Sequence, residues 1–383
     1  MGSGIRALLL ASLLCVGLSF SPMGTAPADA GRDDHGAKTR FFQFAISADG
    51  SAAYVAVADR HTVVKVRLSD GDVLASRKFR GKVSAIELSR DASLLAVALT
   101  GDDRVVLVNP DTLEPVAEAP VGELPRLLEF GVEGTDLCVL ATKSEEIDVI
   151  DVPSRGTAQI VPLPSRPASM AHYGERVAVC LPETGEIAVF SHPAHELIAT
   201  VPVSPTPDWI CRASSGDSGR PGHAGHQSTY TSRLGAFIPP GSWPGGGMPG
   251  PALANYGLLV ITSRESDTVS IVDGGSLAVL ATASVRKPFI ATGGCGAWQR
   301  ACVLGEHGKR LSVLDTDRAS PTFGTVLFTV KLAEPCETLE SAADGTCWLV
   351  GVSRMRLYAV DPMTPSSEPT KAVRIKRHRH ECD

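Results

Sequence analysis

The stretch SADGSAAYVAVADRHTVVKVRLSDGDVLASRKF, residues 47–79, alternates short apolar runs with polar turns. AAYVAVA and TVVKV are rich in β-branched and small apolar residues, which suit a pleated, half-buried surface. Ser47-Ala48-Asp49-Gly50 precedes the first run, Asp59-Arg60-His61 separates the two, and Ser69-Asp70-Gly71-Asp72 follows the second. Runs bounded in this way read as strands joined by hairpin turns. Residues 89–122, SRDASLLAVALTGDDRVVLVNPDTLEPVAEAPVG, repeat the same order, so the unit is a four-stranded meander.

One strand of that unit recurs along the chain: TVVKV at Thr62, RVVLV at Arg104, EIDVI at Glu146, EIAVF at Glu186, TVSIV at Thr268, RLSVL at Arg310 and RLYAV at Arg356. Its second residues, Val63, Val105, Ile147, Ile187, Val269, Leu311 and Leu357, are spaced by 42, 42, 40, 82, 42 and 46. That period is the length of one propeller blade. A lone meander leaves both faces uncovered, and radial stacking buries both while shortening the exposed edges. The expectation is an all-β, seven-bladed β-propeller of four-stranded antiparallel blades. An open solenoid fits the four short strands per repeat less well.

The 82-residue spacing has room for an eighth blade or for a long insertion in the fifth. Residues 212–252 are rich in Gly, Pro and Ser and lack an alternating apolar run, which favours the insertion. Residues 31–383 are then one propeller domain.

SADG with the run that follows resembles the YVTN-type β-propeller repeat family of exported proteins, and residues 89–122 are close to it as well. The later copies keep the spacing and the marker strand, and the WD dipeptide of WD40 proteins is missing. The resemblance implies an extracytoplasmic and usually non-catalytic propeller. Its wider circle includes surface proteins, partners of redox enzymes, and propeller subunits of amine dehydrogenases and lactonases.

The N-terminus fits export. Arg6 precedes an apolar run at residues 7–20, and Ala28-Asp29-Ala30 makes an A-x-A cleavage pattern, so residues 1–30 read as a signal peptide. The run is shorter than the roughly 20 residues of a spanning helix. A secreted or periplasmic location follows. Beyond the signal lie eight cysteines, and Cys295 with Cys302, and Cys336 with Cys347, are the local disulfide candidates. A net charge of −6 gives no broad attraction to nucleic acid.

The loops after strands two and four gather on one face of the ring, where His61, Arg166, Lys287 and His307 surround the mouth of the central channel. They are candidates for a small anionic ligand. The insertion carries Tyr230, Phe237 and Trp243, residue types that anchor protein interfaces. His192 and His195 fall in a turn rather than on a helix face, so they read as solvated turn histidines, and no metal site is expected there or at His223, His226, His378, His380 and Cys382. Asp151, Asp273, Asp315 and Asp361 each follow a marker strand and read as turn-forming residues. Gly216-Asp217-Ser218-Gly219 matches the letters of a serine-protease nucleophile, with nothing else to support it. No haem attachment motif, Walker loop or dinucleotide fingerprint is present, and no cofactor is expected. The expected function is a scaffold that binds a protein or surface ligand, and the alternative is a lactonase-like or redox propeller subunit acting at the channel.

Overall fold

The computed structural model describes residues 42–376 apart from 48, 58–60, 90, 132–133, 214–255, 294–298, 343 and 352–355. The signal segment, Tyr230, Phe237, Trp243, Cys295 and the C-terminal His-Cys cluster lie outside the described residues. Twenty-eight strands, β1–β28 in chain order, form seven antiparallel sheets of four, and no helix occurs among the described residues. Each sheet takes its four strands consecutively. The first strand of every blade touches the first strand of the next, and β25 (Cys336–Ser341) touches β1 (Phe42–Ile46) to complete the circle. The protein is a seven-bladed β-propeller.

The core lies between blades. Tyr54, Val63 and Phe79 of blade one pack against Leu95, Leu99 and Val106 of blade two. Cys138, Leu140 and Val161 of blade three pack against Met170, Val177 and Val179 of blade four. Alternate side chains of each strand leave its two faces, so every blade contributes to two such layers.

Among the described residues no strand is shared between the first and last blades. Blade seven meets blade one through Trp348, Val350 and Val373 against Phe44, Val55 and Val66. The C-terminal segment then laces the seam: the Lys376 amide donates to the Gly71 carbonyl at 2.9 Å, and the ammonium groups of Lys371 and Lys376 reach the Leu68 carbonyl at 3.2 Å and the Asp72 carboxylate at 2.8 Å.

The turn between the third and fourth strands is built alike in five blades. The amides of Gly71, Leu113, Arg155, His195 and Leu277 each donate to the carbonyl four residues back, and all five residues have positive φ. The aspartates after the marker strands do the structural work expected of them: Asp151, Asp273, Asp315 and Asp361 accept from the amides of Ser154, Ser276, Asp317 and Met363.

The disulfide expected between Cys336 and Cys347 is corrected by the strand register. Cys336 lies opposite Gly351 and Cys347 opposite Ser341, at the two ends of the ladder between β25 and β26 (Cys347–Gly351). A disulfide needs Cα atoms about 4.4–6.8 Å apart, which that separation along the strand precludes. Cys302, Cys336 and Cys347 are all free thiols. Cys347 hydrogen-bonds instead with Cys302 of the neighbouring blade.

Gly71 is where ring closure is least forgiving. Its φ is +80°, and a Cβ there would stand 2.0 Å from the Arg374 carbonyl oxygen. Gly71→Ala is expected to lower stability by roughly 2–3 kcal/mol, measured by urea unfolding, because strain and displacement of the C-terminal strand act together.

Candidate functional site

Of the residues expected around the channel mouth, His61, Arg166, Lys287 and His307 lie in connections on the same side of the ring, and no hydrogen bond or ion pair joins any two of them. Two are held locally. His61 Nδ1 lies 3.1 Å from the Arg80 carbonyl, and the Lys287 ammonium sits 3.5 Å from Asp267 and 3.4 Å from the Arg264 carbonyl. Arg286 is similarly 3.7 Å from Glu306. The positive mouth expected from the sequence is therefore offset by neighbouring carboxylates.

Acidic groups stand nearer the axis. Glu87 on β5 (Lys82–Leu88), Glu129 on β9 (Pro125–Phe130) and Glu340 on β25 occupy the same register on three innermost strands, opposite Ala96, Cys138 and Trp348. Burial pushes the Glu87 and Glu129 carboxyls well above the ordinary glutamate value, and the nearby Glu87 and Glu340 charges add to the rise at Glu129. Carboxyls gathered near the axis do not make a site for a small anion.

A denser cluster spans blades three and four, on the opposite face. Asp136 opens β10 (Asp136–Ala141), and Cys138, two residues on, projects from the same side of that strand. Blade four supplies His172 from β13 (Met170–Tyr173), and His192 and His195 from the turn after β15 (Glu186–Ser191). Asp136 Oδ2 and His192 Nε2 are 2.8 Å apart, and Cys138 Sγ and His195 Nε2 are 3.6 Å apart. The rings of His172 and His192 meet edge to face at 4.5 Å, as do those of His192 and His195 at 5.3 Å. One ligand atom each from Asp136, His192 and His195 lie within 4.8 Å of one another.

The solvated reading of the turn histidines is corrected here: His195 is 5% exposed, and the His192 side chain 12%. The turn is as expected, but the side chain at its fifth residue enters the interblade layer. Leu113 and Leu277 hold that position in sister turns, and Leu113 is wholly buried. Aligning SHPAH (191–195) with NPDTL (109–113) and DGGSL (273–277) exposes the signal, a histidine where two of the sister turns place leucine. Asp136 and His172 were not singled out by the sequence, because nothing in their local spacing links them to that turn.

Burial works to raise the Asp136 pKa, but the hydrogen bond from His192 and the surrounding imidazoles outweigh it and leave the carboxyl below its ordinary value. Burial, reinforced by His192, brings His172 down to about 3 and also lowers His195. Burial, with Asp136 and Glu129, pushes the Cys138 thiol well above its ordinary value. A thiol so enclosed is a poor nucleophile, which argues against a Cys-His-Asp hydrolase. Two neutral imidazoles, a carboxylate and a sulfur suit a d-block cation.

No family model and no curated protein matches the chain. Solved structures do. The dihydro-heme d1 dehydrogenase NirN in complex with DHE is 16% identical with a TM-score of 0.56, over 88% of this chain and 64% of that one. Hydrazine synthase of Kuenenia stuttgartiensis is 14% identical with a TM-score of 0.60, over 88% and 99%. A functionally unknown protein from Desulfotomaculum acetoxidans is 9% identical with a TM-score of 0.63, over 87% and 95%. These likenesses show a shared fold, and this chain spans less than two thirds of the NirN chain.

The axial carboxyls impose a pH dependence. A carboxyl whose pKa is raised on folding stabilises the fold most below its unfolded value, and that contribution is lost as pH rises toward the folded value. Glu129→Gln is expected to match the parent protein near pH 4.5, the ordinary glutamate value. Above it the variant should become the more stable, by up to about 1.4 kcal/mol per pH unit, in urea titrations at several pH values.

Proposed function

We propose that this is an exported β-propeller that serves as a binding scaffold, related through its repeat to the YVTN-type propellers, and that it docks a protein partner on the outer rim of blades three to five. The observation that carries the reading is the composition of the outermost strands. An outer strand has one edge without a ladder partner, and proteins guard such edges with charges or prolines. β4 (Val73–Lys78) carries Arg77 and Lys78, β8 (Pro115–Pro120) carries Glu118 and two prolines, β24 (Val326–Lys331) carries Lys331, and β28 (Lys371–Arg374) carries Lys371 and Arg374.

Three consecutive blades depart from that habit. β12 (Gly156–Pro162), β16 (Leu197–Pro202) and β20 (Val279–Ser284) hold no charged residue, and any proline lies only at the strand end. Ile160, Leu197, Ile198, Val279 and Leu280 are each more than two fifths exposed on these strands. An uncharged edge with outward apolar side chains suits strand addition by a protein segment, in which backbone bonds give affinity and the apolar side chains give selectivity. The A-x-A segment at the N-terminus supports export, which brings such a rim to partners outside the cytoplasm. The local pairing of Lys287 and the carboxyls gathered near the axis weigh against a channel enzyme acting on a small anion.

The test is capture of proteins from the extracytoplasmic fraction on the immobilised mature chain. The parent protein is expected to retain a partner in stoichiometric amount, and the triple variant Ile160→Lys, Ile198→Lys, Leu280→Lys to retain roughly tenfold less or lower, a loss of about 1.4 kcal/mol or more. Leu74→Lys with Val116→Lys, on the guarded blades, should leave capture unchanged. Equal retention by both variants would remove blades three to five from the reading.

A further inference from the structure

We propose that Asp136, Cys138, His192 and His195 form a zinc(II) site that clasps blade three to blade four. The proposal is independent of the docking rim, which lies on other strands.

The donors come in pairs from the two sides of one seam, Asp136 and Cys138 from β10 and His192 and His195 from a single turn. Structural zinc takes four protein ligands in a tetrahedron, with bonds of about 2.3 Å to sulfur and about 2.0–2.2 Å to nitrogen or oxygen, which makes an S···N edge of about 3.6 Å and an O···N edge of about 3.4 Å. Cys138 Sγ and His195 Nε2 already stand at 3.6 Å. Asp136 Oδ2 and His192 Nε2, at 2.8 Å, are held by a hydrogen bond that the ion replaces, and they part by roughly half an ångström to receive it. The three nitrogen and oxygen donors converge within 4.8 Å, and Cys138 Sγ, which stands against His195 but outside that group, swings inward to complete the tetrahedron.

His172 is the second, independent observation. It is 2% exposed, neither ring nitrogen has a hydrogen-bond partner, and its ring meets that of His192. Nδ1 of His195 is likewise buried without a partner. Buried imidazoles without partners are costly in an apolar seam, and two of the four sister turns use leucine at the position of His195. His172, with both ring nitrogens unpartnered and its ring against His192, is a reserve donor to a cation held in the seam.

The donor set selects the ion. Calcium and magnesium require shells of oxygen, whereas one carboxylate, two imidazoles and a thiol suit a borderline cation with no redox demand and no strong geometric preference of its own. Binding converts the Cys138 thiol to zinc thiolate and releases its proton to solvent, without oxidant or reductant.

The experiment uses the full mature chain, stripped with a chelator, dialysed against zinc chloride and analysed for metal. One zinc per chain is expected, and replacement by cobalt(II) should give the intense visible absorption of a tetrahedral ion with a near-ultraviolet thiolate band. Cys138→Ser should lose the thiolate band. His195→Leu, which installs the residue of the turns at Leu113 and Leu277, should fold and lose stoichiometric zinc, and Asp136→Asn with His192→Gln provides a second route should the leucine variant misfold. Zinc should raise the urea midpoint of the parent protein and leave that of His195→Leu unmoved. Less than a tenth of an equivalent of zinc in the parent protein, or equal zinc in parent and variants, would overturn the proposal.

Discussion

Everything in this ring depends on blades covering one another. A four-stranded meander has two apolar faces and no means of burying either alone, so each blade's stability is that of its two seams. Tyr54 and Leu95 illustrate the point: they belong to different blades and to one layer. Each fully buried leucine or valine contributes about 1.5–3 kcal/mol only when the opposite blade is in place. The circle must therefore close, and among the described residues it closes without exchanging a strand. The closing seam relies on the Phe44 and Trp348 layer and on the C-terminal segment laid across Gly71.

The fold was legible because its determinants are local and repeated. Seven marker strands at near-constant spacing specify seven sheets, and the Asp and Gly turns specify how each sheet folds back. The pairing of Cys336 with Cys347 failed for the complementary reason. Both lie near the same hairpin in sequence, but antiparallel register, which spacing alone does not give, sends them to opposite ends of the ladder.

The candidate site was far less legible. A histidine in a polar turn ordinarily faces water, and His192-Pro193-Ala194-His195 reads that way from its letters. What reverses the reading is burial. His195, the fifth residue of this turn, adopts positive φ and lies buried in the seam, as Leu113 does in its own turn, whereas Arg155 in the same position stays exposed. The partners that give the histidine meaning, Asp136 and Cys138, lie more than fifty residues earlier and meet it only through the stacking of blades.

That contrast bears on where chemistry can reside in a repeat protein. Positions that obey the repeat are committed to packing, since the same residue type recurs wherever the same seam must be filled. A buried polar residue at a position that two sister turns give to leucine gains little from packing and must gain from something else. In this chain the seam between blades three and four gathers Asp136, His172, His192 and His195, while the seam between blades one and two is built from Tyr54, Phe79, Leu95 and Leu113. The propeller has kept its architecture there and changed the composition of one joint, and that joint is where a bound ion has the most to stabilise.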